Sequence, residues 1–248
     1  MADPQARPSG RTRRVRPRSA VLPGAIGVAR PPLIAGEVVW RGSVGLNTAH
    51  CTIVVVDVEG FGRYSRTNPN KIRIRRGMYR AIERAFAAAD IPWAACQYSD
   101  LGDGVLVLGP GSLSKTPFAE RLPGALAEEL ASHNGAHPRE ERIRLRLALH
   151  AGEVTYDDHG VTGSSILDAQ RLVDAPVLKH ALADTSAVLA TIASSWFYEE
   201  VVRQSEGSDA GAYRSVAVAG DEFSFPAWIR LLFAPAARRR ALIRSRLG

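Results

Sequence analysis

Two aspartates that are far apart in the sequence each stand where a strand gives way to a turn. Asp57 follows the β-branched run at residues 52–56, which is typical of a strand buried on both faces. Asp103 ends the turn at residues 100–103, between two short strands predicted at residues 93–99 and 104–108. If the first strand pairs antiparallel with the second strand of that hairpin, the end of one meets the start of the other. The pattern therefore predicts that the two carboxylates are neighbours.

Neighbouring carboxylates of this kind indicate a cation site. Two of them about 4 Å apart repel by roughly 1 to 4 kcal/mol at effective dielectric constants between those of water and a protein surface. A Mg²⁺ or Mn²⁺ ion offsets this repulsion, and such ions bind through one or two carboxylates together with substrate phosphates. The pair therefore favours a nucleoside triphosphate as ligand. The turn Gly60-Phe61-Gly62 after Asp57 would supply backbone N–H groups to its phosphates.

Each of these residues also has a plainer interpretation. An aspartate at a strand end caps a turn, and an aspartate in a hairpin is a common turn former. His150 is expected to end an apolar strand and to be a packed, hydrogen-bonded residue rather than a general base. Asp157, Asp158 and His159 precede Gly160 in a predicted turn, where acids are common, and are not expected to bind a metal. Core or interface packing is expected for Trp93, Trp196 and Trp228, and ordinary buried thiols are expected for Cys51 and Cys96.

The elements that would position the aspartates follow from hydrophobic periodicity. After Asn68-Pro69, a helix carries Met78, Ile82, Ala85, Phe86 and Ala89 on one face. A second helix is predicted over residues 118–133, where Pro123 makes either a kink or the first turn. Arg142, Arg144 and Arg146 alternate with Ile143, Leu145 and Leu147, which indicates a half-buried strand. Further helices are predicted near 164–174 and 194–203, and further strands near 187–191, 212–218 and 224–231.

The order strand, helix, hairpin, helix, strand is that of a ferredoxin-like fold, here extended at its end. The expected class is therefore α+β, a palm-type sandwich with an extended mixed or antiparallel sheet and helices packed on it. The chain has 248 residues, of which 46% are hydrophobic and two are cysteines. These values fit one domain in a reducing cytoplasm and exclude a disulfide-built secreted scaffold. The sequence contains no apolar run of eighteen residues, so no membrane span is expected.

The net charge of +7 belongs to the two ends of the chain. Residues 1–30 contribute +6 and residues 234–248 contribute +5, and subtracting that +11 from +7 leaves −4 on residues 31–233. We therefore expect an Arg/Pro-rich disordered tail at residues 1–35, one domain at residues 36–233 and a basic tail at residues 234–248. Nucleic-acid binding by the domain itself is not expected, although the tails would suit nucleic acid or anionic lipid. A signal peptide or a start codon assigned too far upstream are alternatives for the first segment.

Four stretches in this order resemble the catalytic domain of class III nucleotidyl cyclases, the family of adenylate and guanylate cyclases. With the element order, the resemblance covers residues 50–231. The four stretches are Val56-Asp57-Val58-Glu59-Gly60-Phe61, Leu101-Gly102-Asp103-Gly104, Leu149-His150-Ala151-Gly152-Glu153-Val154 and Ala169-Gln170-Arg171-Leu172.

The resemblance implies a cytoplasmic head-to-tail homodimer with its active sites at the subunit interface. Asp57, Asp103 and the backbone carbonyl of Val58 would hold two Mg²⁺ or Mn²⁺ ions. Gly60 and Phe61 would contact the nucleotide, and Arg171 of the other subunit would reach the charge that develops on the α-phosphate. The ribose 3′-hydroxyl would attack that phosphorus and expel pyrophosphate.

Several positions depart from the family pattern. Ser99 and Gly160 stand where purine cyclases carry a base-reading pair, and Ser99 does not dictate a base because a hydroxyl both donates and accepts hydrogen bonds. Leu167 replaces an Asn four residues before Arg171, and residues 219–221 lack a phosphate-binding Lys. Pyrimidine cyclases of bacterial antiphage defence resemble this pattern, which favours cyclic UMP or cyclic CMP as product. The alternative is a catalytically silent cyclase-like module that binds a nucleotide or a partner protein.

Overall fold

The computed structural model describes residues 47–220 and 223–234. The predicted tail at residues 1–35 lies outside the described residues, as does nearly all of the predicted tail at residues 234–248. Asp221, one of the positions compared with the phosphate-binding Lys, is also outside them. No helix within the described ranges has the length and apolar character needed to cross a membrane.

The strands and helices alternate in an α+β order. In chain order they are β1 (Asn47–Val58), α1 (Asn68–Ala88), β2 (Gln97–Asp100), β3 (Gly104–Pro110), α2 (Thr116–Glu120), α3 (Leu122–Ala136), β4 (Leu145–Asp157), β5 (Gly160–Thr162), α4 (Ser164–Asp174), α5 (Pro176–Ala183), β6 (Leu189–Ser194), α6 (Ser195–Phe197), β7 (Arg214–Ala219) and β8 (Ser224–Leu232). A π-helical turn, Tyr198–Val202, continues α6.

Within the described residues, eight strands form one mixed sheet. Seven of them follow the order β2-β3-β1-β4-β6-β8-β7, and β5 pairs with β4. The β4–β6 pair is parallel, whereas the other pairs are antiparallel. The predicted α+β palm-type class is therefore confirmed, including the antiparallel pairing of β1 with the second strand of the hairpin.

Both faces of the sheet are covered by helices, which explains the apolar run in β1. Val54 and Val56 pack in the core under α1 and α3, whereas Ile53 and Val55 pack in the core under α4 and α5. Successive side chains of a strand point to opposite faces, so a central strand that is buried on both faces has no polar side. Asp57 continues this strand and breaks its apolar pattern.

Helix α1 begins with a capping box. The Thr67 hydroxyl accepts from the Asn70 N–H at 3.4 Å, and the Asn70 side-chain carbonyl accepts from the Thr67 N–H at 3.1 Å. Pro69 occupies the first turn, where its missing N–H costs nothing. The buried face carries Met78 and Phe86, as the periodicity predicts. Helix α1 thereby covers part of one face of the sheet, next to the β2–β3 hairpin.

Four predicted elements differ in extent from the structure. Residues 93–95 form a 3₁₀ turn rather than the start of a strand. The helix predicted at 118–133 is two helices, and Pro123 lies in the first turn of the second one. The alternation at 142–147 enters the sheet only at Leu145, because the backbone N–H and carbonyl of Ile143 both bond to the Asn134 side chain rather than to a strand. The helix predicted at 194–203 is one turn of α6 followed by the π-helical turn.

Helix α5 was not predicted from the sequence. It begins at Pro176 immediately after α4, and no side chain caps its first turn. Only Leu178 and Leu182 are buried on it, four residues apart, so its apolar pattern is too short to separate it from α4.

Candidate functional site

The structure brings Asp57 and Asp103 together at the ends of β1 and β3. Asp57 lies opposite Gly104 in the β1–β3 register, and the Val58 N–H donates to the Asp103 carbonyl at 3.0 Å. Both aspartates line one cavity of about 300 Å³, which lies between this end of the sheet and α4. Its lining also includes Gln170, Val173 and Asp174 of α4. The juxtaposition expected from the element order is therefore present.

Two glycines allow the hairpin to approach β1 this closely. Gly102 has a φ of +90°, which a residue with a side chain rarely adopts. A Cβ on Gly104 would lie 3.2 Å from the carbonyl carbon of Val56, and its carbonyl oxygen would be closer still. The turn that carries Asp103 therefore requires both glycines.

Arg75 of α1 clamps the same turn, and the sequence gives no signal for it beyond an arginine on a helix. Its guanidinium donates to both carboxylate oxygens of Asp100 and to the Gly102 carbonyl. Asp100 in turn accepts the Gly102 N–H at 2.7 Å. The hydrogen bond from Arg75 lowers the pKa of Asp100, so this carboxylate stays ionised. The turn before Asp103 is thus held from α1.

Arg146 of β4 is a second contact that sequence reasoning missed. It lies opposite Asp57 in the β1–β4 register and donates to the Asp57 carboxylate. The two side chains are only 11% and 17% exposed, respectively. Burial nevertheless raises the pKa of Asp57 to about 6, because the attraction of Arg146 only partly offsets desolvation while Asp103 and Asp174 repel the charge. Asp57 therefore carries a buried negative charge that is incompletely compensated.

The glycine turn after β1 is present, and part of its hydrogen-bonding capacity is already used. The Phe61 N–H donates to the Val58 carbonyl at 3.3 Å, and the Arg63 N–H donates to the Gly60 carbonyl at 3.1 Å. Gly60 has a φ of +65°. The N–H groups of Gly60 and Gly62 make no hydrogen bond to a described residue, so they, and not that of Phe61, remain for an anion.

Arg171 on α4 lies beside the aspartates' cavity. It lines a neighbouring cavity of about 280 Å³, and Gln170 and Asp174 line both cavities. Its guanidinium donates to Asp168 at 2.8 Å, which is the i,i+3 ion pair possible from the sequence, and lies 4.6 Å from the centre of the Phe223 ring. Leu167 is 52% exposed at the rim of this cavity.

Ser99 and Gly160 lie apart within one protomer. Ser99 is in β2 opposite Leu106, and Gly160 is in the β4–β5 turn opposite Asp157. Strands β3 and β1 separate β2 from β4. The roles predicted for these two residues stay predictions. The same applies to the roles predicted for Asp57, Val58, Asp103, Gly60, Phe61 and Arg171.

The plainer interpretations hold at several other positions. His150 lies 2.8 Å from the Ser194 hydroxyl, and burial lowers its pKa, although it stands in the middle of β4 rather than at its end. Asp157 caps its own turn by accepting the N–H groups of His159 and Gly160. Both cysteines are buried and free, and Trp93 and Trp228 pack against aromatic rings. Trp196 is 45% exposed, which excludes a core role within one protomer and leaves interface packing as the prediction for it.

The donor set at Asp57 and Asp103 fits an open metal site and not a closed one. Across the described ranges, no group of three or more His, Cys, Asp or Glu residues is placed to hold a metal ion. Two carboxylates and the Val58 carbonyl, which retains a lone pair beside its bond from Phe61, are oxygen donors of the kind that Mg²⁺ and Mn²⁺ accept. Remaining coordination positions would have to come from water or from a phosphate ligand.

Known structures share this fold. The chain is 14% identical to a bacterial light-regulated adenylyl cyclase, with a TM-score of 0.55 over 83% of this chain and 60% of that one. An adenylate/guanylate cyclase/hydrolase from Silicibacter pomeroyi is 19% identical, with a TM-score of 0.53 over 77% of this chain and 99% of that one. The guanylyl cyclase Cya2 is 17% identical, with a TM-score of 0.50 over 78% of this chain and 97% of that one.

These structural similarities show the fold of nucleotide cyclase catalytic domains and no more, because the sequence identities are all below 20%. The chain spans only 60% of the length of the light-regulated adenylyl cyclase. No protein-family profile matches the chain, and no curated protein matches its sequence.

Proposed function

We propose that this protein is a divalent-metal-dependent nucleotidyl cyclase that works as a head-to-tail homodimer. The observation that carries the proposal is the position of Asp57 and Asp103 on one cavity at the joined ends of β1 and β3. Two acidic side chains 46 positions apart in the sequence meet there without forming a closed metal cage. The fold shared with adenylyl and guanylyl cyclases supports the same interpretation.

Asp57, Asp103 and the Val58 carbonyl would hold two Mg²⁺ or Mn²⁺ ions. When bound, such ions lower the pKa of the attacking hydroxyl and neutralise phosphate charge. The chain itself would position the triphosphate against the turn after β1, where the N–H groups of Gly60 and Gly62 point to no described acceptor. The ribose 3′-hydroxyl would then give up its proton to solvent water and attack the α-phosphorus, so that the P–O bond to the β-phosphate breaks and pyrophosphate leaves.

Arg171 would act from the second protomer. Its guanidinium is exposed on α4, and a positive charge near the α-phosphate stabilises the negative charge that develops there. The contact requires Arg171 to exchange Asp168 for the phosphate. An exposed ion pair contributes only about 0 to 1 kcal/mol, so this exchange costs little.

The substrate favoured by the residues is a pyrimidine nucleoside triphosphate. Ser99 presents a hydroxyl that donates or accepts, and Gly160 presents no side chain, so neither imposes a purine edge. We therefore propose cyclic UMP or cyclic CMP as the product, acting on a separate effector protein in bacterial antiphage defence.

The direct test is incubation of the purified full chain with each of the four nucleoside triphosphates and Mn²⁺, followed by chromatographic separation of the products. We expect one 3′,5′-cyclic pyrimidine nucleotide together with an equal amount of pyrophosphate. A cyclic purine product would overturn the base assignment alone. The absence of a cyclic nucleotide from all four reactions, with folded dimer present, would overturn the cyclase proposal.

The second candidate is a catalytically silent module that binds a nucleotide or a partner protein. It is favoured by the contacts of Arg171, whose guanidinium already faces Asp168 and the Phe223 ring, and by Leu167 in place of a polar side chain. In that case Asp57→Asn leaves the biological phenotype nearly intact. Cyclic nucleotide synthesis that is lost in this variant would exclude the silent module.

A further inference from the structure

Arg146 is the cross-strand partner of Asp57. The two residues lie opposite each other in the β1–β4 register, and the Arg146 guanidinium donates to Oδ2 of Asp57. Ala148, two residues further along β4, packs in the core under α4 and α5. Because alternate residues of a strand share a face, Arg146 and Asp57 project together toward that helix layer. The Arg146 guanidinium thus lies against the carboxylate of Asp57, which is the proposed metal ligand.

Comparison with Arg144 shows that Arg146 is not held as a structural arginine. Arg144 donates to three backbone carbonyls, those of Leu182, Thr185 and Ala187, and so ties β4 to the segment after α5. Arg146 has Asp57 as its sole hydrogen-bond partner among the described residues, and its Nε is buried without any acceptor there. Burying a guanidinium with unpaired donors costs free energy of folding. The favourable contribution of Arg146 therefore comes from the attraction between its charge and that of Asp57.

The charges that face this pair come from the neighbouring turn and helices. Asp103 and Asp174 repel the Asp57 charge, and Lys179 attracts it. Lys179 is itself paired with Asp174 at 2.9 Å. The three carboxylates and two cations of this cluster therefore leave one negative charge. Without Arg146 it would hold two, next to the largely buried carboxylate of Asp57.

We propose that Arg146 is the resident counter-cation of Asp57 and that a divalent ion displaces it from this carboxylate. The inference rests on the proposed metal site. An ion bound at Oδ2 and the guanidinium compete for the same oxygen and repel each other, so both cannot hold it closely. Asp57 is then paired with a positive charge in the metal-free protein and in the metal-bound protein. Arg146 compensates the charge of Asp57 when no ion is bound and lowers the affinity of the site for the ion.

Mn²⁺ affinity, measured on the full chain from the electron paramagnetic resonance signal of free Mn²⁺, tests this directly. Arg146→Gln is expected to bind Mn²⁺ about tenfold more tightly than the wild type or better, because removal of one repelling charge a few ångströms away is worth at least that much. Arg146→Lys, which retains the charge, is expected to remain near the wild-type affinity. Arg230→Gln, the same change on β8, is the control. Equal or weaker binding by folded Arg146→Gln would overturn the inference.

A measurement on the unmutated protein covers the case in which Arg146→Gln does not fold. Titration of the ¹⁵N-labelled wild type with Mg²⁺ is expected to shift the side-chain resonance of Arg146. This resonance is assigned by its loss in Arg146→Lys. A resonance that does not shift at Mg²⁺ saturation would overturn the inference. If the wild type binds no Mn²⁺, the proposed function and the inference fail together. If Asp57→Asn abolishes binding while Arg146→Gln matches the wild type, the inference alone fails.

Discussion

The backbone N–H of Val58 donates to the backbone carbonyl of Asp103 at 3.0 Å. This bond continues the β1–β3 ladder one step beyond the Asp57–Gly104 pair. The position of Asp103 beside the end of β1 is therefore fixed by main-chain pairing. Its side chain is exposed and lines the cavity. The same geometry makes the site depend on the glycines and on the clamp that shape the turn.

Complementation between two inactive variants tests the interfacial site. Asp57→Asn removes the proposed metal ligand from one protomer, and Arg171→Ala removes the proposed phosphate contact from the other. Each variant alone is expected to be inactive. A 1:1 mixture refolded together is expected to recover roughly a quarter of the wild-type rate, since half of the dimers are mixed and each has one complete site. Activity that stays at the level of the single variants would contradict the shared site.

Arg75 is expected to act on Asp103 through the turn that it clamps. Arg75→Gln removes the donors to Asp100 and to the Gly102 carbonyl, so residues 100–104 should exchange amide hydrogens faster and Mn²⁺ affinity should fall about tenfold. Arg76→Gln, on the next and exposed position of α1, is the matched control. Faster exchange with unchanged Mn²⁺ affinity would separate the turn from metal binding and refute this role.

Gly104 is expected to tolerate no side chain. A Cβ there would press on the Val56 carbonyl, so Gly104→Ala should lower the free energy of unfolding by about 1–3 kcal/mol. Gly135→Ala, in helix α3 with open space around it, should raise that free energy by about 0.5–1 kcal/mol. Chemical denaturation of both variants measures the two values. Equal effects of the same sign would show that the β1–β3 contact is looser than described.

His150 is expected to lower the stability of the folded protein in mild acid. Burial lowers its pKa in the folded protein below the ordinary value of about 6.5, and Asp168 only partly restores it. The unfolded chain therefore takes up the proton first as the pH falls. The contribution of neutral His150 is complete above pH 6.5 and is lost progressively below it.

The comparison of wild type with His150→Gln isolates this effect. Asp57, whose pKa is raised to about 6, acts in the opposite direction, since its destabilising ionisation disappears as the pH falls through 6. Because Asp57 is present in both proteins, its effect cancels in the difference. When the pH is lowered from 7.5 to 5.5, the free energy of unfolding of the wild type should fall relative to that of His150→Gln. Parallel curves for the two proteins would contradict the assignment.

Local sequence patterns were sufficient for the core elements and for the meeting of the two aspartates. The β-branched run before Asp57, the turn before Asp103 and the element order determine which strand ends lie together. Helix α4, predicted near 164–174, is observed as Ser164–Asp174 because its apolar face is long enough to show the helical period. The plain interpretations of His150 and Asp157 also rest on local signals, namely an apolar strand and a turn.

The contacts that tune the site could not be predicted because they depend on register and on direction. Arg146 faces Asp57 only because β4 pairs with β1 at one of many possible registers, and a shift by one residue would turn it to the opposite core. Arg75 reaches Asp100 from a helix, across a packing angle that periodicity does not specify. Arg144 and Arg146 look alike in the sequence, yet Arg144 donates to three backbone carbonyls and lies beside the Glu59 carboxylate, whereas Arg146 donates to the Asp57 carboxylate.

The measurement closest to the central claim is Mn²⁺-dependent formation of a cyclic nucleotide by the wild type, Asp57→Asn and Asp103→Asn. Asp184→Asn, on an exposed acid at the end of α5, serves as the matched control. Product is expected from the wild type and the control, and a rate reduced about 100-fold or more is expected in both site variants, because each lacks one of the two carboxylates proposed to hold the ions. Full activity in either folded site variant would contradict the claim that these two aspartates share the catalytic metal.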